Sequence, residues 1–259
     1  MRIATWNVNS VNARLETVTT WLREAAPDVV CFQEIKCVDE KFPREAMEAL
    51  GYNVEVHGQK AYNGVALLSK FPIEDVRRGL PGGDGDDHAR YIEAVIGGPT
   101  PVRVGCLYLP NGNPIDTPKF DYKLNWMARL YAHAANLLKL EEPLALAGDW
   151  NVIPEPEDAD KPESWTGDAL FQPQTRAAFR AIKWLGLTDA HLAVGENPHQ
   201  YTFWDYFRNA YDRDHGIRID HVLLSPQAAD KLQASEVHKY VRGREKPSDH
   251  APVVVTLDL

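Results

Sequence analysis

Eight apolar runs of strand length recur from one end of the 259-residue chain to the other, and segments of helical spacing fall between them. The runs are IATWNV (3–8), VVCF (29–32), VALLS (65–69), YIEAVI (91–96), VRVGCLYL (102–109), LALAGDW (144–150), IDHVLLS (219–225) and APVVVTL (251–257). Val11, Leu15, Val18 and Leu22 step by four, three and four, the spacing of one helix face, and Leu124 to Leu140 mixes apolar and polar residues by turns. Strands alternating with helices in both halves predict an α/β fold. The segments PGGDGDD (81–87), GGPTP (97–101), NGNP (111–114) and the acidic EPEDADKPE (155–163) read as surface loops. No linker divides the chain, and 44% hydrophobic residues with seven Trp suffice for a large core, so one domain over residues 1–259 is expected. GVALLSKFPI (64–73) and DHVLLSPQAA (220–229) echo each other. They are either two ordinary buried strands ending in a Ser turn or the trace of a duplicated layer.

Composition narrows the class by exclusion. Cys31, Cys37 and Cys106 form no C-x-x-C pair and no even disulfide framework, which favours a reducing cytoplasm. The start MRIATWNVNSVNARLE has no apolar core after a basic residue, and no stretch approaches the about 18 uninterrupted apolar residues of a membrane span. A soluble, unprocessed chain with no membrane partner is expected. The formal charge of −9 argues against a protein that coats nucleic acid through lysines and arginines. An enzyme escapes that objection, because a bound divalent cation reverses the sign of an acidic cleft where a phosphate must sit.

Short polar residues stand where apolar runs end. Asn7 follows RIATW, Glu34 follows DVVCFQ, and Asp149 with Asn151 follows PLALAG. Ligands collect at the carboxyl ends of strands in α/β proteins, where a rigid scaffold meets variable loops. Asp149 and Asn151 are two apart and share a side on an extended backbone. A lone acid at such a place is commonly a turn or helix-cap residue. The set Glu34, Asp149, Asp220 and Asp249 instead describes a hard, oxygen-rich site suited to Mg²⁺ rather than zinc. His250 precedes a β-branched run, and a His at a strand mouth facing a buried Asp has its tautomer and basicity set by that Asp. Asp220 and Asp249 both qualify for the role. Alternation puts His221 on the opposite face from Asp220, which makes His221 structural, and the remaining histidines lack ligand spacing.

The ordered motifs WNVNS, QEIK, GVALLSK, YLPNG, GDWN, RIDHVLLS and KPSDHAPV span essentially the whole chain. Their order resembles the exonuclease III family of abasic-site endonucleases, within the endonuclease/exonuclease/phosphatase superfamily. HGQKAYNGVALLSK and the aromatic YTFWDY resemble its DNA-repair branch more than its inositol-phosphate phosphatases or sphingomyelinases. The resemblance implies a four-layer, DNase I-like α/β sandwich of two packed mixed sheets flanked by helices. It implies hydrolysis of DNA phosphodiesters 5' to an abasic site, or stepwise from a duplex 3' end, by a monomer that needs Mg²⁺, with Mn²⁺ able to substitute.

Residue by residue, the resemblance implies that Glu34 binds the metal with Asn7 and Asp249 close by. Asp149 orients or deprotonates the attacking water, and Asn151 holds the phosphate or that water. His250 paired with Asp220 donates to the phosphate, and Tyr108 with Asn111 stabilises charge on its oxygens. Phe203, Ile217 and Ile219 match the positions of a small apolar pocket for a flipped, base-less sugar. Phe207, on the exposed stretch after Tyr206, is placed to wedge into the duplex. Arg90, Lys119, Arg208, Arg242, Arg244 and Lys246 are candidate phosphate contacts. Two departures stand out. Asn9 occupies a position where some relatives carry Asp, which makes a second metal there less secure, and Trp150 replaces a Met or Leu facing the core. Two rival readings are a phosphatase for a small phosphorylated metabolite or lipid headgroup, and a catalytically dead DNA-binding relative.

Overall fold

The computed structural model describes all 259 residues. Twelve strands form: β1 (Arg2–Asn7), β2 (Val29–Gln33), β3 (Asn53–His57), β4 (Val65–Ser69), β5 (Ile73–Arg78), β6 (Tyr91–Ile96), β7 (Val102–Tyr108), β8 (Leu144–Asp149), β9 (Thr188–Asp189), β10 (Asp220–Leu224), β11 (Leu232–Val237) and β12 (Val253–Leu257). The helices are α1 (Leu15–Ala25), α2 (Arg44–Glu48), α3 (Pro118–Leu138), α4 (Pro173–Lys183), α5 (Ala190–Val194) and α6 (Pro226–Ala229). No helix is long and apolar enough to cross a membrane.

Two six-stranded sheets run in the orders β11-β12-β1-β2-β4-β3 and β5-β6-β7-β8-β10-β9. Each is built on a central parallel pair, β1 with β2 and β7 with β8, flanked by antiparallel neighbours. β4 and β10 occupy equivalent positions in the two orders. The echo between residues 64–73 and 220–229 therefore follows a repeated layer plan.

Three apolar interfaces separate the four layers. Ile3, Cys31, Leu67, Val104, Cys106, Ala147 and Val222 pack between the sheets. Trp21 and Leu22 of α1 cover Trp6, Val30 and Phe32 on one outer face. Trp126 and Leu130 of α3 and Phe179 of α4 cover Leu107, Leu146 and Leu223 on the other. Trp150 is fully buried in that last layer and its Nε1 donates to the His221 carbonyl at 3.0 Å. Its bulk thus faces the core, as the sequence predicts.

The structure corrects the sequence reading at three places. α3 begins at Pro118 rather than near Leu124, because Thr117 caps it and Pro118 has no N–H to leave unpaired in the first turn. Val11 precedes α1 but joins the same core. The segment 155–163 is not wholly surface: Asp158 is completely buried, where it accepts from the equally buried Arg218 at 2.7 Å. A charge inside the protein is tolerated only with a partner, and this pair ties the loop to the chain entering β10.

Candidate active site

Strand direction gathers the polar residues. Asn7, Tyr108 and Asp149 close the parallel strands β1, β7 and β8, and Glu34 directly follows β2. Asp220 opens the antiparallel β10 and pairs in register with Asp149, which pairs in register with Tyr108. His250 precedes β12, antiparallel to β1. The carboxyl ends of the parallel strands and the amino ends of their antiparallel neighbours thus share one rim. Glu34 and Asn151, one and two residues beyond the ends of β2 and β8, adopt left-handed φ of 50° and 46°. A Glu in that conformation costs on the order of 1–2 kcal/mol, a local strain of the kind found at functional sites.

His250 is the centre of the buried charges. Its Nδ1 lies 2.8 Å from Asp220 Oδ2, and its Nε2 lies 3.7 Å from Asp149 Oδ2. Desolvation opposes a charged ring, yet Asp220 and then Asp149 outweigh it and push His250 up to about 10. Asp220, not Asp249, is therefore the partner. Thr202 Oγ1 also donates to Asp220 Oδ2 at 2.6 Å, leaving Asp220 Oδ1 buried without a hydrogen-bond partner. Burial raises Asp149 to about 7, with His250 opposing that rise and Asp220 adding to it. The ligand atoms of Asp149, Asp220 and His250 lie within 4.8 Å of one another, close enough to hold a cation.

A second group of oxygens lies beside the first. The Asn7 amide donates to Glu34 Oε1 and to Asp149 Oδ2, both at 2.9 Å, while its Oδ1 accepts from Asn9 N at 3.0 Å. Lys36 Nζ reaches Glu34 Oε2 at 2.9 Å and Asn9 Oδ1 at 2.6 Å, and Asn9 donates to Asp249 Oδ1 at 3.1 Å. Desolvation works to raise Glu34, but the Lys36 ammonium and the Asn7 amide hold its carboxyl below the ordinary value. The donors offered by Glu34, Asp149 and Asp249 are carboxylate oxygens with no thiolate among them, the set that suits a hard divalent cation.

Amide and phenol donors line the cleft beside these carboxylates. Asn151 Nδ2 donates to the Leu109 carbonyl at 2.8 Å, and Asn111 approaches Asn151 Oδ1 at 3.4 Å. Desolvation, Glu34 and Asp149 push the Tyr108 phenol well above its ordinary value, so it remains a donor. Arg90 stacks its guanidinium 4.8 Å from the centre of the Tyr108 ring. Beneath these loops lies Lys123, fully buried, whose ammonium donates to the carbonyls of Pro110, Asn111 and Asn151 at 3.0, 3.1 and 2.6 Å. Burial pushes Lys123 down to about 7, and the three acceptors match the three donors of its charged form. Lys123 sits within the α3 pattern, where nothing separates it in sequence from a surface lysine.

One cleft of about 220 Å³ contains Glu34, Tyr108, Asn111, Asp149, Asn151, Asp249 and His250, together with Phe203, Ile217 and Ile219. Phe203 makes antiparallel bridges to both Ile217 and His250, and its ring stands edge-on to the imidazole at 5.0 Å. Asn7 and Asp220 sit behind the cleft wall, fully or almost fully buried. Trp165, Asp168 and Leu170 line the cleft as well. They come from the connection between β8 and α4, which carries no strand-end signal. Phe207 is 74% exposed and lies outside this cleft, in a neighbouring groove with Arg208. Arg242 is already engaged with the Trp204 and Asp205 carbonyls, which removes it as a free phosphate contact, whereas Arg244 pairs with Glu24 through one nitrogen and keeps its Nη1 without a partner.

The chain belongs to the Endonuclease/Exonuclease/phosphatase family, whose sequence profile matches residues 4–250. Among its relatives, the exodeoxyribonuclease III of Haemophilus influenzae is 33% identical over 98% of both chains. DNA repair nuclease APEX1 of Danio rerio is 28% identical over 99% of this chain and 82% of that protein. An AP endonuclease from Archaeoglobus fulgidus superposes with a TM-score of 0.95 at 37% identity, each chain fully covered. The 3' phosphatase NExo from Neisseria, solved with a product DNA hairpin, gives 0.94 at 38% identity, again over the full length of both. The two-sheet sandwich is the DNase I-like fold of these structures.

Proposed function

We propose that this protein is a Mg²⁺-dependent DNA repair nuclease that hydrolyses phosphodiesters 5' to abasic sites and removes nucleotides from duplex 3' ends, leaving a 3'-hydroxyl. The observation that carries the reading is the shared cleft. The acid–base group Asp149–His250–Asp220 and the apolar wall of Phe203, Ile217 and Ile219 meet in one small cavity. A site built only for phosphate esters has no use for that wall, whereas a sugar stripped of its base fits against it.

The catalytic assignments follow from the contacts. Glu34 and Asp249 would hold the cation from the cleft side, with Asn7 fixing the Glu34 and Asp149 carboxylates. Mg²⁺, or Mn²⁺ in its place, supplies Lewis-acid stabilisation of the phosphoryl oxygens when bound. His250 is assigned a donor's part instead, because its Nδ1 is taken up by Asp220 and its Nε2 faces Asp149. Its role is to donate to a phosphate oxygen. Asp149 takes the proton of the attacking water, and Asn151, Tyr108 and Asn111 donate to charge that builds on the phosphoryl oxygens, where fixed donors are most effective. Arg90 and Phe207 would meet the DNA outside the cleft, on its backbone and between its bases respectively. The reading takes residues 1–259 as one monomeric, cytoplasmic domain. Its support is the continuous core of both sheets and three free, buried cysteines.

A competition assay tests the substrate class. Duplex DNA with one synthetic abasic site, the same intact duplex and a small phosphate monoester are offered together with Mg²⁺. The abasic duplex is expected to be cut first, at the 5' side of the lesion. Preferential hydrolysis of the small ester would transfer the site to the metabolite-phosphatase reading.

A further inference from the structure

Beside the catalytic cleft lies a roomier groove, of about 800 Å³. Lys161, Trp165, Phe207, Arg208, Arg213 and His215 are among its lining residues. Trp165 lines both cavities. It is half-buried, anchored against the cluster of Ile153, Ala159, Leu170, Ile217 and Ile219 that also forms the apolar wall of the cleft. Across the groove, His215 is hydrogen-bonded to Asp160, and the Asp160 amide donates to the Gly216 carbonyl at 3.1 Å, which ties the two sides together.

The sizes differ in a way that matters for substrate. Pockets for ligands with rings and several polar groups run to about 300–1,000 Å³. The groove lies in that range and the cleft, at about 220 Å³, lies below it. A sugar and its phosphate suit the cleft. A sugar that still carries a purine or pyrimidine does not, unless the base leaves past Trp165 into the groove. There it meets two aromatic side chains, and every base has a π-face to stack on them. Lys161, Arg208 and Arg213 offer cations to the adjoining phosphates, against the acids Asp160 and Asp205.

Building on the nuclease reading above, we propose that this groove is a subsite for the unpaired base of a nucleotide whose sugar occupies the catalytic cleft, with Trp165 as its specificity-determining residue. Abasic substrates use the cleft alone. Frayed or mismatched 3' nucleotides use both cavities.

Equilibrium binding in chelator separates this proposal from the catalytic reading. Affinity is measured for two duplexes that differ only at the 3' end, one carrying an unpaired adenine nucleotide and the other a base-less sugar phosphate, in the parent, Trp165→Ala and Trp165→Leu. Losing one base–aromatic stack should weaken binding of the adenine-ended duplex roughly five- to a hundredfold. Because Trp165 also lines the cleft, the base-less duplex should lose some affinity as well, but several-fold less than the adenine-ended one. The Leu variant keeps an apolar anchor against Ile217 and Ile219, so its losing as much as the Ala variant is the expected result and assigns the effect to the aromatic ring. Equal affinities of parent and variants for the adenine-ended duplex, or parallel losses on both duplexes, would overturn the proposal. A parent that binds both duplexes in chelator but cuts neither once Mg²⁺ is supplied in excess would instead count against the nuclease reading and leave the binding comparison decisive for the groove.

Discussion

His250 Nδ1 sits 2.8 Å from Asp220 Oδ2, a buried pair that holds the imidazole ring at a fixed angle to the cleft and leaves Nε2 facing Asp149. Asp149→Asn should lower turnover roughly 10²–10⁴-fold, the range for loss of a general base. His250→Ala should lower it about 10²–10³-fold, as for one donor to a charge-bearing oxygen. DNA affinity should survive in both, since both contacts strengthen only in the transition state. Single-turnover rates with separate binding isotherms check this. A variant that loses affinity and keeps its rate on saturating DNA would make its residue a substrate contact.

The same pair fixes a pH profile. Asp149, raised to about 7 by burial, must lose its proton to act as base, and His250, held up to about 10 chiefly by Asp220, must keep its own. Activity should therefore climb as pH rises through about 7, with a bound cation moving that limb lower, and should fall near 10. The limbs belong to the coupled group rather than to single residues. Asp220→Asn removes the strongest attraction on His250, so its alkaline limb should move to lower pH. An unmoved alkaline limb in that variant would detach the limb from His250.

The sequence exposes the rim because Asn7, Glu34, Asp149 and Asp220 abut long apolar runs that stand out from their surroundings. It hides every edge. The four strands absent from the apolar pattern, NVEVH of β3, IEDVRR of β5, TD of β9 and LQASEV of β11, are the four edge strands of the two sheets. An edge strand is solvated along one side and carries charges that discourage pairing with another chain, which erases the apolar signal. Lys123 and Trp165 escape for a different reason. What makes them important is the loop packed against them, and that contact joins residues far apart in sequence.

Metal dependence should be complete. Chelation is expected to abolish hydrolysis and Mg²⁺ or Mn²⁺ to restore it, because the acidic cleft repels a phosphate until a cation is bound. Glu34→Ala should raise the metal concentration at half-maximal rate. A titration of that variant that overlays the parent at low Mg²⁺ would take Glu34 out of the site.

Acid should unfold the protein through the Arg218 network. Arg218 bonds Asp158 at 2.7 Å and Asp189 at 2.9 Å, and although desolvation works to raise both carboxyls, its guanidinium holds them below their ordinary range. Depressed acids contribute stability above the ordinary carboxylate range and lose it as pH falls. Burial lowers His221 from 6.5 to about 4, so the unfolded chain gains a proton first, and stability again falls as pH drops across that interval. Arg218→Met strands two buried carboxylates and should cost about 3–5 kcal/mol at neutral pH. Urea midpoints of the parent and Arg218→Met at pH 7 and pH 3 check both statements, because the gap between the two proteins should narrow as the Asp158 and Asp189 carboxylates gain protons. A gap that is the same at both pH values would contradict the linkage.

The shared cleft is tested most directly at Phe203, which touches the chemistry through His250 and the sugar wall through Ile217. Removing the ring enlarges the pocket and weakens its rejection of a sugar that still carries a base. The measurement is the ratio of kcat/KM for an abasic duplex to that for the same intact duplex, in the parent and in Phe203→Ala. Truncating a packed Phe costs about 3–5 kcal/mol, so Tm and the Mg²⁺ titration are recorded on the same preparation. The account predicts a folded enzyme with unaltered metal demand, slower abasic incision and a smaller ratio. A stable, metal-competent variant whose ratio equals that of the parent would contradict it, placing lesion recognition outside the cleft that holds Asp149 and His250.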